Sequence, residues 1–285
     1  MRYRAGFQLS FLLLTTACAG GRVSRAPVPT PSQQPNEPPV LAVPGPWSFR
    51  YASETTAYQV RRSGSVETQS DSITQREITT NTTHEILTLN TVGDTIRFTA
   101  VVDTFSTTTQ QLIGQVQPVQ LPVQVSGFVV GDSLLLSAED SAACSPAHSA
   151  LITDLRNLVI HIPAQVLVGT SWRDSVEQTG CQAMIPTKSR IISSYTVSGQ
   201  IEYEGDPALV IQRIDTIHAQ ASGAQQQHQV AIEANGTGNA SYYLNLRRRI
   251  VTHLVVTQDL DLGVTASGKT RHLRQSTKQE FSLAR

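Results

Sequence analysis

Three cysteines and seven histidines are the residues of this 285-residue chain best suited to nucleophilic, redox or metal chemistry. Their spacing serves little of it. His84, His148, His161, His218, His228, His253 and His272 are scattered along the sequence. His84-Glu85 is not continued by a second histidine one helical turn on, where two imidazoles would grip zinc. His218 and His228 flank an expected hairpin and would meet across its strands, but two imidazoles without a third ligand make a poor zinc site. Asp259-Leu260-Asp261-Leu262-Gly263 lacks the third oxygen position and the later glutamate of a calcium loop, so strand alternation explains it better. Gly236-Thr237-Gly238-Asn239 lacks the following glycine or lysine of a phosphate loop and reads as a hairpin turn. No nucleophile elbow, phosphate loop or dinucleotide fingerprint is present. The sequence thus predicts no catalytic residue, no metal site and no cofactor.

The cysteines take their chemistry from their setting. Arg2 and Arg4 precede an apolar stretch from Phe7 to Leu14 that ends at Thr15-Thr16-Ala17-Cys18. This stretch is too short for a stable membrane-spanning helix, which needs about 20 apolar residues, but it has the charge and apolar layout of an export signal. It resembles a bacterial lipoprotein signal. Ala17 and Cys18 match the small residue and the modified cysteine, and Thr16 is acceptable. Thr15 departs from the pattern, because the large aliphatic stands one place earlier, at Leu14. The resemblance implies removal of residues 1–17, lipid attachment at Cys18 and, since Ala19 and not aspartate follows, sorting to the outer membrane, facing the periplasm or the surface. Ordinary secretion, with cleavage after Ala17-Cys18-Ala19, stays open. In either case Cys144 and Cys181 remain as a pair in an oxidising compartment and are expected to form a disulfide, closing a loop of about 36 residues.

Residues 22–46 hold eight of the 14 prolines. That composition favours extended, unpacked conformers, so residues 18–46 read as a tether. Residues 47–285 are then a β domain large enough for an ample core. Lys+Arg and Asp+Glu balance at 22 each, so no net field recruits nucleic acid. Arg247-Arg248-Arg249 is the one dense basic cluster and reads as a solvated strand segment. Charged residues make up 15% of the chain, against about 25% in typical soluble proteins, and Thr, Ser and Gln take their place, as suits exported β proteins.

From Trp47 onward the dominant signal is period-two alternation. Ile96, Phe98, Ala100 and Val102 share one strand face; Leu121, Val123 and Val125 share another. Tyr195, Val197, Ile201 and Tyr203 alternate with polar residues, as do Ala240, Tyr242, Leu244 and Leu246; Leu209, Ile211 and Ile217 are interspersed with Gln212 and Thr216, although Val210 and Ile214 make that strand apolar on both faces. Gly93-Asp94, Gly131-Asp132, Gly205-Asp206-Pro207 and Gly236-Thr237-Gly238 supply turn chemistry. One buried and one wet face indicate antiparallel sheet, and the long strands favour strong curvature. The expected fold is therefore mainly β, a large curved antiparallel sheet or open barrel. One packed helix is expected near 146–157, where Ser145-Pro146 opens a segment with Leu151, Ile152, Leu155, Leu158 and Val159 at helical spacing. Two similar β halves joined at 140–170, opening at Trp47 and Trp172, is an organisation the pattern leaves open.

This layout loosely resembles the periplasmic half-barrels of lipoprotein-carrier proteins, in which a helix lies over the concave face. The resemblance implies an acyl-chain site lined here by Leu151, Leu155, Tyr195, Val197, Ile201 and Tyr203; the plainer reading has these residues filling a closed core. The function expected is that of a non-catalytic, lipid-anchored envelope protein with a binding or scaffolding domain. Its partners would be the membrane, through the N-terminal lipid, and an envelope protein, with no nucleic acid. The alternative is a carrier of a hydrophobic ligand, and more remotely a secreted hydrolase.

Overall fold

Alternating side chains commit most of the chain to strand. The computed structural model describes residues 55–69, 77–92, 96–110, 122–130, 133–137, 146–163, 166–182, 185–225, 228–248 and 250–284, with the side chains of 55, 68–69, 77–97, 103–110, 129–130, 133–134, 146–147, 181–182 and 225 outside that description. Cys18, the tether and Cys144 fall outside the described residues, as does the side chain of Cys181.

The elements run β1 (Thr55–Gln69), β2 (Glu77–Val92), β3 (Ile96–Gln110), β4 (Val123–Val130), β5 (Ser133–Leu136), α1 (Pro146–Leu158), β6 (Ser171–Gln182), β7 (Ile185–Tyr203), β8 (Asp206–Gln225), β9 (His228–Asn245), β10 (Ile250–Ala266) and β11 (Lys269–Leu283). All eleven strands form one antiparallel sheet in the order β5-β4-β3-β2-β1-β11-β10-β9-β8-β7-β6. Each neighbouring pair is consecutive in sequence except β1 and β11, which zip the two halves of the chain together over Tyr58–Gln69. The sheet is not closed. Its open seam lies between β5 and β6, and the chain crosses that seam through α1, which packs against β3 and β4 on one side and β6 on the other.

The sheet's inner face explains why α1 is needed. Val60, Phe281, Leu254, Tyr242, Ile211 and Val197 stand directly opposite one another on six adjacent strands, and each is at most 1% exposed. An apolar row of this kind is stable only under a cover. Leu151, Leu155 and Leu158 of α1 supply it and join the same core; full burial of each such side chain contributes about 1.5–3 kcal/mol. A second apolar cluster, including Val66, Ile185, Ile232 and Leu262, occupies the far half of the strands.

Turn chemistry is local and specific. Glu204 and Gly205 (φ 53° and 85°) and Ser267 and Gly268 (φ 52° and 75°) each put two consecutive residues in the left-handed region, as the tightest hairpins require. The expected turn at Gly236-Thr237-Gly238 is instead the middle of β9. These two glycines are there for space. A Cβ on Gly236 would lie 2.1 Å from the carbonyl oxygen of Asp259, and one on Gly238 would lie 3.1 Å from Asp215 Oδ2. Arg247 and Arg248 are likewise not in a strand: they form the turn between β9 and β10, with Arg247 pairing with Asp206 at 2.9 Å.

Candidate functional site

Two residues along each strand from the apolar row, the inner face turns polar. The next row reads Arg62, Gln279, Val256, Ala240, Arg213, Tyr195 and Trp172 across β1, β11, β10, β9, β8, β7 and β6. The row after it includes Thr277, Gln258, Gly238, Asp215, Ser193 and Asp174. Onto this layer α1 lowers Asp154 and Asn157, three residues apart and so on one side of the helix. Arg62 forms a buried ion pair with Asp154. Arg213 pairs with Asp215 at 3.0 Å, donates to Asn157 Oδ1 at 3.0 Å and donates to the Tyr242 hydroxyl. Asn157 Nδ2 donates in turn to Gln279 Oε1 at 3.2 Å, and Ser193 Oγ donates to Asp215 Oδ1 at 2.7 Å. Asp154 is 0% exposed and Asp215 1%, so these charges survive burial through their partners.

The same burial fixes the protonation states. It pushes the Tyr242 phenol far above its usual range, with the Arg213 charge pulling the other way. Tyr195 is also raised by burial, opposed by Arg213 and by its hydrogen bond with Ser193. Both phenols stay neutral. Burial works against the Arg213 charge, but Tyr242, Asp215 and Tyr195 outweigh it and hold the guanidinium above its ordinary pKa. The Ser193 hydroxyl donates to a carboxylate that Arg213 already engages. Tyr195 completes the layer by stacking on Trp172 (centroids 5.0 Å apart, planes at 3°), whose Nε1 donates to the His161 carbonyl at 3.0 Å. The chemistry this arrangement suits is clamping a helix in one position.

The six residues proposed to line an acyl site divide. Leu151, Leu155, Tyr195 and Val197 come together under α1, none more than 4% exposed, and fill the core. Ile201 and Tyr203 do not share their face. A β-bulge between Val197 and Gly199 inserts one extra residue into β7. Beyond it Gly199 stands opposite Val210, the neighbour of inward-facing Ile211, so the following odd-numbered residues point outward. There Tyr203 meets Tyr243 (4.8 Å) and His253 (5.8 Å) in an outer aromatic cluster. His218 and His228 do not meet either: His218 lies opposite Asn235, and His228 opposite Gln225. Among the described residues no group of three or more His, Cys, Asp or Glu is arranged to hold a metal, and no helix is long and apolar enough to cross a membrane. The pairing of Cys144 with Cys181 lies outside the described side chains; the helix start comes close to β6 at Ser149 and Gly180.

Sequence reasoning missed Arg62, Asp154, Asn157, Arg213 and Asp215. A signal existed for two of them: Arg213 and Asp215 occupy the same period-two positions as Ile211 and Ile217, which marks them as inward charges. No protein-family model matches the chain, and no curated protein matches it significantly.

Two outcomes are expected. Arg62→Met or Asp154→Leu alone lowers the urea unfolding free energy by about 3–5 kcal/mol, because each strands one buried charge. The double variant regains much of that loss; simple additivity of the two losses would contradict the clamp. His253 is held below its ordinary value of 6.5 by burial, with Glu280, the Phe281 backbone and Glu204 opposing. Its folded pKa being the lower one, the unfolded chain binds the proton first. Stability is therefore intact above about pH 6.5 and falls as the pH drops from there through the folded value. Thermal melts across pH 7.5 to 5 should show this slope, and His253→Phe should flatten it; an unchanged slope in the variant would assign it elsewhere.

Proposed function

We propose that this chain is a non-catalytic, lipid-anchored protein of the cell envelope whose β domain binds or scaffolds another envelope protein. Cys18 is the lipid attachment site and residues 18–46 the tether. The filled inner face carries the reading of the domain. Leu155, on the sheet-facing side of α1, is 0% exposed, and the polar residues around it pair with one another, leaving the outer face and the sheet margins as the surfaces a partner meets. Binding pockets, by contrast, are concave and mostly open to their ligand.

The carrier of a hydrophobic ligand remains the second reading, and one observation favours it. α1 is joined to the sheet by discrete polar contacts at Asp154 and Asn157, and lifting it would uncover Leu151, Leu155, Tyr195 and Val197 together.

The test uses the full chain produced in a bacterial host with lipoprotein-processing enzymes. It should fractionate with membranes and carry the mass of an acylated cysteine, and Cys18→Ser should release it to the soluble fraction. A wild-type chain found soluble, with its N-terminus after Ala19, would establish secretion in place of anchoring. Native mass spectrometry of the detergent-released protein should then give chain plus anchor alone. A further acyl ligand at one per chain would replace the scaffold reading with the carrier.

A further inference from the structure

β6 is one margin of the sheet: β7 pairs with it on one side, and among the described residues no strand pairs on the other. Three contacts show which of its backbone groups face out. The Val197 N–H donates to the Thr170 carbonyl at 2.9 Å, so Thr170 points toward β7. The register then runs unbroken from Ser171 opposite Thr196 to Gln182 opposite Ile185, which turns even-numbered residues toward β7 and odd-numbered ones outward. Accordingly the Ser175 N–H finds no carbonyl on β7 and donates to Asp174 Oδ1 at 2.7 Å. The Ser171 and Thr196 hydroxyls meet at 3.0 Å, the close side-chain approach of a pair not bridged by backbone hydrogen bonds.

Ser171, Arg173, Ser175, Glu177 and Thr179 thus offer their N–H and C=O groups outward, and their side chains are exposed as well. The 12-residue strand contains no proline, lysine or bulge, the devices that keep a free edge from pairing. Its charges are self-complementary. Arg173 and Glu177 lie four residues apart, about 13 Å along the strand, too far to pair with each other. In an antiparallel pairing with a second β6 about a two-fold axis at Ser175, Arg173 faces the second copy's Glu177, and the contact occurs twice. Moving that axis two residues either way sets Arg173 against Arg173 or Glu177 against Glu177, which costs stability.

We propose that β6 is a homodimerisation edge through which two copies pair antiparallel about Ser175, joining their sheets into one. The Ser175 N–H exchanges its bond with Asp174 for the second copy's Ser175 carbonyl, and the freed carboxylate passes to water. α1 stays in place, since its contact with β6 is made on the inner face, where Arg156 Nη1 donates to Gln178 Oε1 at 2.6 Å. The inference is independent of the lipid anchor and of the envelope partner.

Cysteine cross-linking of the full chain in membranes or detergent micelles tests it. Opposed residues of such a pair have Cα atoms about 5.5 Å apart, so under mild oxidant Ser175→Cys should yield a covalent dimer. Ser171→Cys and Thr179→Cys should each stay monomeric alone and cross-link when mixed, and the wild type should stay monomeric throughout on non-reducing gels. In sedimentation equilibrium, Arg173→Glu should weaken association about tenfold or more, and Arg173→Glu/Glu177→Arg should restore it. Ser175→Pro should abolish the dimer without moving the thermal melt, because an edge strand tolerates proline where its N–H faces out. A wild-type chain that stays monomeric at about 100 μM, some hundredfold above a micromolar Kd, would overturn the proposal. So would a dimer that survives Ser175→Pro, or Ser171→Cys cross-linking to itself.

Discussion

Two arginines on distant strands end on the same helix. Arg62 rises from β1 and Arg213 from β8, with β11, β10 and β9 between them, and they meet Asp154 and Asn157 of α1. The rest of the inner face depends on that meeting. An antiparallel meander with one apolar face has to bury it, and this meander does not close on itself, because its pairing is completed at β1–β11 while its seam opens at β5–β6. The connection across the seam is therefore also the cover. With α1 seated, the row from Val60 to Val197 is dry; without it, six strands would expose that row to water.

The clamp is polar, and the physics says what that achieves. Hydrophobic packing alone tolerates a helix that slides or rotates by a residue, since leucines at helical spacing find new neighbours at small cost. A buried carboxylate has no such freedom, because displacing Asp154 from Arg62 leaves two charges in a medium that cannot solvate them. Such pairs add little net stability compared with apolar replacements, but they penalise the wrong arrangement heavily. Gly238 belongs to the same device: its missing side chain makes the room in which Asp215 reaches Arg213 and Ser193. The inner face is thus layered, apolar under the helix, polar at its waist and apolar again around Val66 and Leu262.

How much of this was legible in the sequence varied with the range of the forces involved. Alternation placed β3, β4, β7, β8 and the final third of β9, and the leucine spacing placed α1 from Pro146 to within a residue of its end. The paired left-handed residues at Glu204 and Gly205 followed from local turn chemistry. What depended on a neighbouring strand was hidden. β11 carries only Leu273 and Phe281 as buried apolar residues among charged and amide side chains, so no alternation announces it, although it holds the two halves of the chain together. The glycines of β9 look like a turn until Leu260 and Asp215 are seen to need the space. The bulge after Val197 is marked only by Gly199, a lone glycine within the strand, yet it turns Ile201 and Tyr203 to the other face and divides the candidate ligand site. The clamp residues were hidden for a related reason: a buried arginine is recognisable only once its carboxylate partner is known, and Asp154 lies 92 residues from Arg62.

α1 is part of the core, fixed in one place, and native-state hydrogen exchange tests that most directly. The amides of Leu151 to Leu158 should exchange only through global unfolding, with the same opening free energy and denaturant dependence as the central amides of β8 and β9. Exchange of those helix amides through a separate opening, several kcal/mol cheaper and while β8 and β9 stay protected, would contradict it and would make α1 a lid.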